Sequence, residues 1–198
     1  MARAARTLRL TKQGANEIAF IGDSITQGWE SAGKETWVKI YAPCGAANFG
    51  FSGDQTQHVL WRLQNGEVIA AKPKVVVPMI GTNNVGGRSV SPAKTAEGIA
   101  AIVGYLGEKL PETKVLLLGV FPRGETASDP LRIAVGQTTA SISRLHDGQR
   151  VHLLNIGRHF QWRDGALRTN LMPDRLHLSA GGYEIWAKAM ESTLAGLL

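Results

Sequence analysis

Serine, histidine and aspartate together can hydrolyse an ester, and this chain offers the serine at a strand end and the other two on a long loop just before the last helical pattern. Ser24 stands in Phe20–Gly28, FIGDSITQG, where an apolar run turns at once small and polar. Asp174 precedes His177 in Asp174-Arg175-Leu176-His177, a spacing that lets both side chains leave one loop or helical turn. Free serine is a weak nucleophile and needs a base within hydrogen-bond reach. That base is usually a histidine oriented by a carboxylate. The oxyanion needs preorganised donors, and three candidates exist: the backbone N–H of Ser24, the backbone N–H of Gly53, and the side-chain amide of Asn83. Each piece also has a plain structural alternative. A strand-ending Gly-Asp-Ser often only turns the chain or caps a helix. Gly53 alone is a turn glycine, Asn83-Asn84 alone is turn chemistry, and Asp174 with His177 alone is a surface pair.

Placing these residues together requires a particular order of elements. Five short apolar runs rich in β-branched residues predict strands at Glu17–Ile21, Ala46–Phe49, Lys74–Ile80, Lys114–Val120 and Val151–Ile156. Helical patterns fall at Thr36–Tyr41, Gln55–Leu63, Pro92–Leu110, Pro130–His146 and Ala180–Leu197. Near-continuous apolar strands alternating with helices predict a parallel sheet covered on both faces, in one α/β domain over residues 1–198. Ligands of such sheets bind beyond the carboxyl ends of the strands. The turns holding Ser24, Gly53 and Asn83 should therefore converge on one edge. Pro78, inside VVVPMIG, conflicts with a central strand, because proline cannot donate to the ladder; a bulge or bend near the strand end would reconcile it.

The chain has 198 residues, 43% of them hydrophobic and 19% charged, enough apolar material for a full core and no sign of disorder. Its net charge is +6, but the basic residues are scattered. Arg3, Arg6, Arg9 and Lys12 recur every three residues in a segment, residues 1–16, that reads as an N-terminal helix or tail with a solvated face. No nucleic-acid partner is expected. The one cysteine, Cys44, forbids an intrachain disulfide. No run is long enough to span a membrane, and MARAARTLRL lacks the continuous apolar core of a signal peptide. A cytoplasmic location is expected, a secreted form remaining the alternative. Trp29, Phe51, Phe121 and Trp162 read either as a pocket lining or as ordinary core and surface aromatics.

Taken together, GDSIT at 22–26, Gly53 within FSGDQTQ, GTNN at 81–84 and DRLH at 174–177 resemble the SGNH/GDSL hydrolase superfamily, in its order and beyond about residue 16. SGDQTQHVLWRLQNGE, KPKVVV, LLGVFPRGE and LHLSAGGY are similar to its platelet-activating-factor acetylhydrolase branch, catalytic subunits and bacterial relatives together. The resemblance implies a flavodoxin-like α/β/α sandwich on a five-stranded parallel sheet. It implies Ser24 as nucleophile, His177 as base, Asp174 as its orienting carboxylate, and Ser24, Gly53 and Asn83 as the oxyanion hole. Asp23 should shape the nucleophile turn, and Asp23 and Asn84 are the expected substrate-binding positions. No metal or organic cofactor and no membrane partner are implied; a small-molecule ester is, and a homodimer is compatible with it. Two departures concern loop shape only: Pro78 replaces an aliphatic residue, and Phe51-Ser52 precedes Gly53 where relatives often carry a smaller residue and a second glycine. The implied activity is hydrolysis of short, foremost acetyl, esters, on acetylated carbohydrates or else on an acetylated phospholipid. Outside catalysis, the alternative is a flavodoxin-like module holding phosphate at a helix N-terminus. It leaves Asn83, Asp174 and His177 without a task, and no GxxxxGK[ST] or GxGxxG pattern accompanies it.

Overall fold

A computed structural model describes Thr7 and residues 17–87 and 90–198. The N-terminal basic residues singled out above lie outside that set. Five strands form one parallel sheet: β1 Ile18–Gly22, β2 Ala46–Gly50, β3 Val75–Met79, β4 Lys114–Leu118 and β5 Val151–Leu154, in the order β2-β1-β3-β4-β5. The helices that matter below are α1 Ser24–Gln27, α2 Thr56–Gln64, α3 Thr82–Gly87, α4 Pro92–Lys109, α5 Pro130–Ile142 and α6 Ala180–Ala195.

Period-two alternation explains why both faces are covered. In β1, Ile18 and Phe20 point to one layer and Ala19 and Ile21 to the other; in β4, Leu116 and Leu118 oppose Val115 and Leu117. The first layer packs Tyr183, Trp186 and Met190 of α6 against Trp29 and Tyr41. The second packs Val59 and Leu63 of α2, Ile99 and Ile102 of α4, and Val135 and Ile142 of α5. The result is the expected α/β/α sandwich. Prolines open the two long helices on the second face, each behind a side-chain cap: Ser91 accepts from the Lys94 N–H and Asp129 from the Leu131 N–H.

Pro78 fits without a bulge. The ladder between β1 and β3 continues through Ile21↔Pro78 to Gly22↔Met79, whereas the ladder between β3 and β4 pairs only Val75↔Lys114 and Val76↔Val115. The missing donor thus falls where β3 has already parted from β4. The segment expected as a simple helix at Thr36–Tyr41 is instead an α-turn, Lys34–Thr36, widening into a π-turn, Trp37–Tyr41. The helix α3 was not anticipated. Among the described residues, no helix is long and apolar enough to cross a membrane.

Candidate active site

The first turn beyond the sheet is built to hold Ser24 still. Gly22 is required there: a Cβ on it would lie 2.2 Å from Thr26 Oγ1 and 2.3 Å from the Met79 carbonyl oxygen. Asp23 caps α1, its Oδ1 accepting from the Ile25 N–H at 2.9 Å. Asn48, reaching over from β2, donates to the Thr26 carbonyl at 3.0 Å. The Tyr183 hydroxyl of α6 donates to the Ile25 carbonyl at 2.6 Å. Three elements thus fix a helix of four residues that is too short to fix itself.

Ser24 Oγ lies 2.9 Å from His177 Nε2, and His177 Nδ1 lies 2.6 Å from Asp174 Oδ2. A carboxylate only accepts hydrogen bonds, so Nδ1 carries the proton and Nε2 is left to accept from the serine hydroxyl. The other oxygen, Asp174 Oδ1, accepts from the backbone N–H groups of His177 at 2.7 Å and Leu176 at 3.0 Å. Arg175 takes the left-handed conformation, φ 60°, between them. Partial burial pushes the Asp174 pKa up, but the His177 ring, these two N–H groups and the His177 charge outweigh it, leaving Asp174 below the ordinary carboxylate value. The His177 and Asp174 side chains are 43% and 55% exposed, so the site is open to solvent.

The expected oxyanion donors lie in the turns that follow β1, β2 and β3, at the same end of the parallel sheet as Ser24. The Ser24 N–H opens α1 and has no intrahelical partner. Gly53 sits at φ +81° with open space where a Cβ would be. Neither N–H is engaged by an acceptor among the described residues. The Asn83 amide donates one N–H to the Asp54 carbonyl at 2.9 Å, which leaves its second N–H uncommitted and ties it to the loop that carries Gly53. That loop is itself tied to the serine turn, with Phe51 N–H on the Gly22 carbonyl at 3.0 Å and Ser52 N–H on Gln27 Oε1 at 2.8 Å.

The two expected substrate-binding positions lie in the interior. Asp23 is fully buried, and Asn84 is 3% exposed with its Oδ1 accepting from the Thr56 N–H at 3.0 Å and its amide donating to Thr56 Oγ1 at 3.1 Å. The Asn84 side chain is spent at the start of α2, whereas Asp23 uses Oδ1 at the start of α1 and leaves Oδ2 without a hydrogen-bond partner. Of the four aromatics, Trp29 and Phe121 belong to the core. Phe51 lies under the Arg62 guanidinium at 4.1 Å, and Trp162, 57% exposed, lies under that of Arg168 at 5.0 Å.

Arg123 was not anticipated as a site residue, although it stands in the quoted LLGVFPRGE. It donates from Nη1 to the Thr82 carbonyl at 3.0 Å and to Thr82 Oγ1 at 3.1 Å. Burial lowers its pKa, and the fields of Asp129, Asp23 and Asp174 raise it part of the way back. It is thus a half-buried cation serving both aspartates of the site. A separate cavity of about 590 Å³, lined by Ile18, Tyr41, Cys44 and Leu194 among others, opens near the start of β1, away from these residues. Among the described residues, no group of three or more His, Cys, Asp or Glu side chains is placed to hold a metal ion.

A strand-end serine hydrogen-bonded to a histidine at the carboxyl edge of a parallel sheet fits one class, an α/β ester hydrolase. The chain belongs to the GDSL-like lipase/acylhydrolase family, whose model matches residues 20–185, and it is a carboxylic ester hydrolase. It is 39% identical over 189 residues to the alpha1 subunit of human platelet-activating factor acetylhydrolase IB, covering 95% of this chain and 79% of that protein. It is 38% identical over 187 residues to the rat alpha2 subunit, covering 92% and 77%. Its fold superposes on a GDSL-like lipase from Bacteroides thetaiotaomicron with a TM-score of 0.82 at 21% identity, covering 100% and 99% of the two chains. It also superposes on an acetylxylan esterase from Geobacillus stearothermophilus with a TM-score of 0.69 at 20% identity, covering 89% and 92%.

Proposed function

We propose that the chain hydrolyses short-chain, foremost acetyl, esters through an acyl-enzyme on Ser24. The observation that carries this is the continuous line from Ser24 Oγ to His177 Nε2 at 2.9 Å and from His177 Nδ1 to Asp174 Oδ2 at 2.6 Å. Ser24 Oγ bonds to the ester carbonyl carbon while its proton passes to His177 Nε2. The carbonyl oxygen, now an anion, is held by the N–H groups of Ser24 and Gly53 and the free N–H of Asn83. Collapse breaks the bond to the alcohol oxygen, which takes the proton from His177. A water molecule then gives its proton to His177 and its hydroxyl to the acyl carbon, and Ser24 leaves protonated. Asp174 holds the ring in its Nδ1–H tautomer and stabilises the imidazolium that forms.

The substrate class we favour is acetylated carbohydrate. The open exposure of His177 and Asp174 suits a polar ester approaching from water, and an acetylxylan esterase shares the fold. A second reading, an acetylated phospholipid, is favoured by the 39% identity to the platelet-activating factor acetylhydrolase subunit.

The test is hydrolysis of p-nitrophenyl acetate by the wild type and Ser24→Ala. The variant is expected to lose about 10³-fold or more in kcat. An equal rate in both would return Ser24 to the role of a helix-opening residue. Acetylated xylo-oligosaccharides and an acetylated phospholipid, compared by kcat/KM, then decide between the two substrate readings.

A further inference from the structure

Both oxyanion donors outside the serine turn hang on one short loop, between β2 and α2, and that loop is gripped from below by a single side chain. Arg62, on α2, donates from Nε and Nη2 to Asp54 Oδ2 at 3.0 and 2.7 Å and from Nη2 to the Phe49 carbonyl at 3.3 Å. Its Nη1 pairs with Glu67, and its guanidinium covers the Phe51 ring at 4.1 Å. Three of these partners, Phe49, Phe51 and Asp54, bracket Gly53. The Asp54 N–H closes the turn onto the Phe51 carbonyl at 3.1 Å, and the Asp54 carbonyl accepts from the Asn83 amide at 2.9 Å. Gln55 completes the link by donating to the Asn83 carbonyl at 3.0 Å. One guanidinium therefore sets the end of β2, the Gly53 turn and, one bond further, the Asn83 amide.

The burial of this group needs a reason. The side chains of Arg62, Asp54 and Glu67 are only 11%, 15% and 6% exposed. Desolvating such ions costs several kcal/mol each, and apolar side chains of similar volume often stabilise a fold at least as well. What an apolar side chain lacks is a rigid fork of donors that fixes a carboxylate and a carbonyl at once. Gly53, exposed at φ +81° with open space where a Cβ would be, has no side chain whose packing could aim its N–H.

We propose that Arg62 is a positioning residue of the oxyanion hole. Held between Asp54 and Glu67, it fixes the loop at 51–55 so that the Gly53 N–H and the Asn83 amide point at the same oxygen. The proposal rests on the reading of Gly53 and Asn83 as oxyanion donors. It concerns the acyl carbonyl alone and is independent of the alcohol.

The test is Arg62→Lys, which keeps the charge and loses the fork, assayed with p-nitrophenyl acetate beside Ser24→Ala. Oxyanion donors act on the transition state, and a displacement near 1 Å costs up to about 10²-fold, so kcat should fall about 10- to 100-fold with KM changed less than about threefold. Glu67→Gln, further from the loop, should show a smaller loss with the same signature. The double variant Arg62→Lys/Asn83→Ala should lose less than the product of the two single losses, because in the Asn83→Ala background the lysine has less left to misplace. An unchanged kcat, a rise in KM alone, or losses that multiply fully with Asn83→Ala would overturn the proposal. If Arg62→Lys shows no cooperative unfolding transition, Asp54→Asn is read by the same criteria and decides. If Ser24→Ala keeps the wild-type rate, the catalytic reading itself fails; if it is inactive while the Arg62 and Asp54 variants are normal, only the positioning role falls.

Discussion

The stability of an Asp23→Asn variant relative to wild type should rise with pH. Asp23 is fully buried; its Oδ1 accepts from the Ile25 N–H, while its Oδ2 has no hydrogen-bond partner. Burial raises its pKa from the ordinary 3.8 to about 7. The Ile25 N–H, the His177 charge and Arg123 oppose this, and the Asp54 charge adds to it. Between about pH 4 and pH 7 the folded chain keeps a proton that the unfolded chain has released. The native state binds more protons there, so stability falls as pH rises through the window. A shift of about three units corresponds to about 4 kcal/mol at full extent, of which about 3 kcal/mol develops between pH 5 and pH 8. Asn keeps an oxygen for the Ile25 N–H and cannot ionise. Other groups, such as Asp174 with its lowered pKa, act in the opposite sense and are common to both proteins, so the informative quantity is the difference between them. Urea unfolding of wild type and Asp23→Asn at pH 5, 6, 7 and 8 gives that difference directly. The stability of the variant relative to wild type should rise by about 3 kcal/mol across the series. A difference that stays flat, or that rises toward acid, would refute the reasoning and mean that Asp23 is charged throughout.

Two further outcomes follow from single hydrogen bonds. Asp174→Asn presents an amide to His177 Nδ1 and favours the tautomer with its proton on Nε2, facing Ser24; kcat on p-nitrophenyl acetate should fall by about 10²- to 10⁴-fold with little change in unfolding midpoint. Tyr183→Phe removes the 2.6 Å donor to the Ile25 carbonyl and leaves that buried acceptor unpaired, so urea unfolding should show a loss of about 1–3 kcal/mol; an unchanged midpoint would mean that α1 is held without α6.

The sheet was legible because each strand carries a continuous apolar run, and a strand buried on both faces admits little else. All five fell within a residue or two of their expected bounds at the start, and the ends of β3 to β5 came earlier than the apolar run did. The misses have local causes. Thr82–Gly87 is six residues long and ends in two glycines, so it shows no helical period. The π-turn at Trp37–Tyr41 has the composition of an ordinary helix. The site was legible where neighbours in sequence are neighbours in space: Asp174 with His177, and Asp23 with Ser24. Apart from groupings carried by the family resemblance, such as Ser24 with His177, it was not legible where a side chain works across the fold. Arg123 meets Thr82 forty-one residues away in sequence, and Tyr183 meets Ile25 across 158; no spacing rule reaches that far. Asn84 illustrates the same limit in reverse: only the position of Thr56 shows its amide to be spent.

Two aspartates flank the Ser24–His177 pair, and composition alone does not say which one orients the histidine. Their surroundings do. Asp174 lies on an open loop, more than half exposed, and receives donors on both oxygens: two backbone N–H groups on one, the His177 ring on the other. It is therefore charged at neutral pH and costs little to keep so. Asp23 lies in the interior with one donor on one oxygen and none on the other, and burial carries its pKa to about 7. A group balanced between its neutral and charged forms is a poor counter-ion for an imidazolium that must form and discharge in every turnover. Arg123 favours the charged form of Asp23, but it cannot restore to Asp23 the donors that the fold withholds. Under the proposed mechanism the division of labour follows: Asp174 supplies steady negative charge to His177, and Asp23, adjacent to the proposed nucleophile in sequence, shapes the turn from which Ser24 would attack.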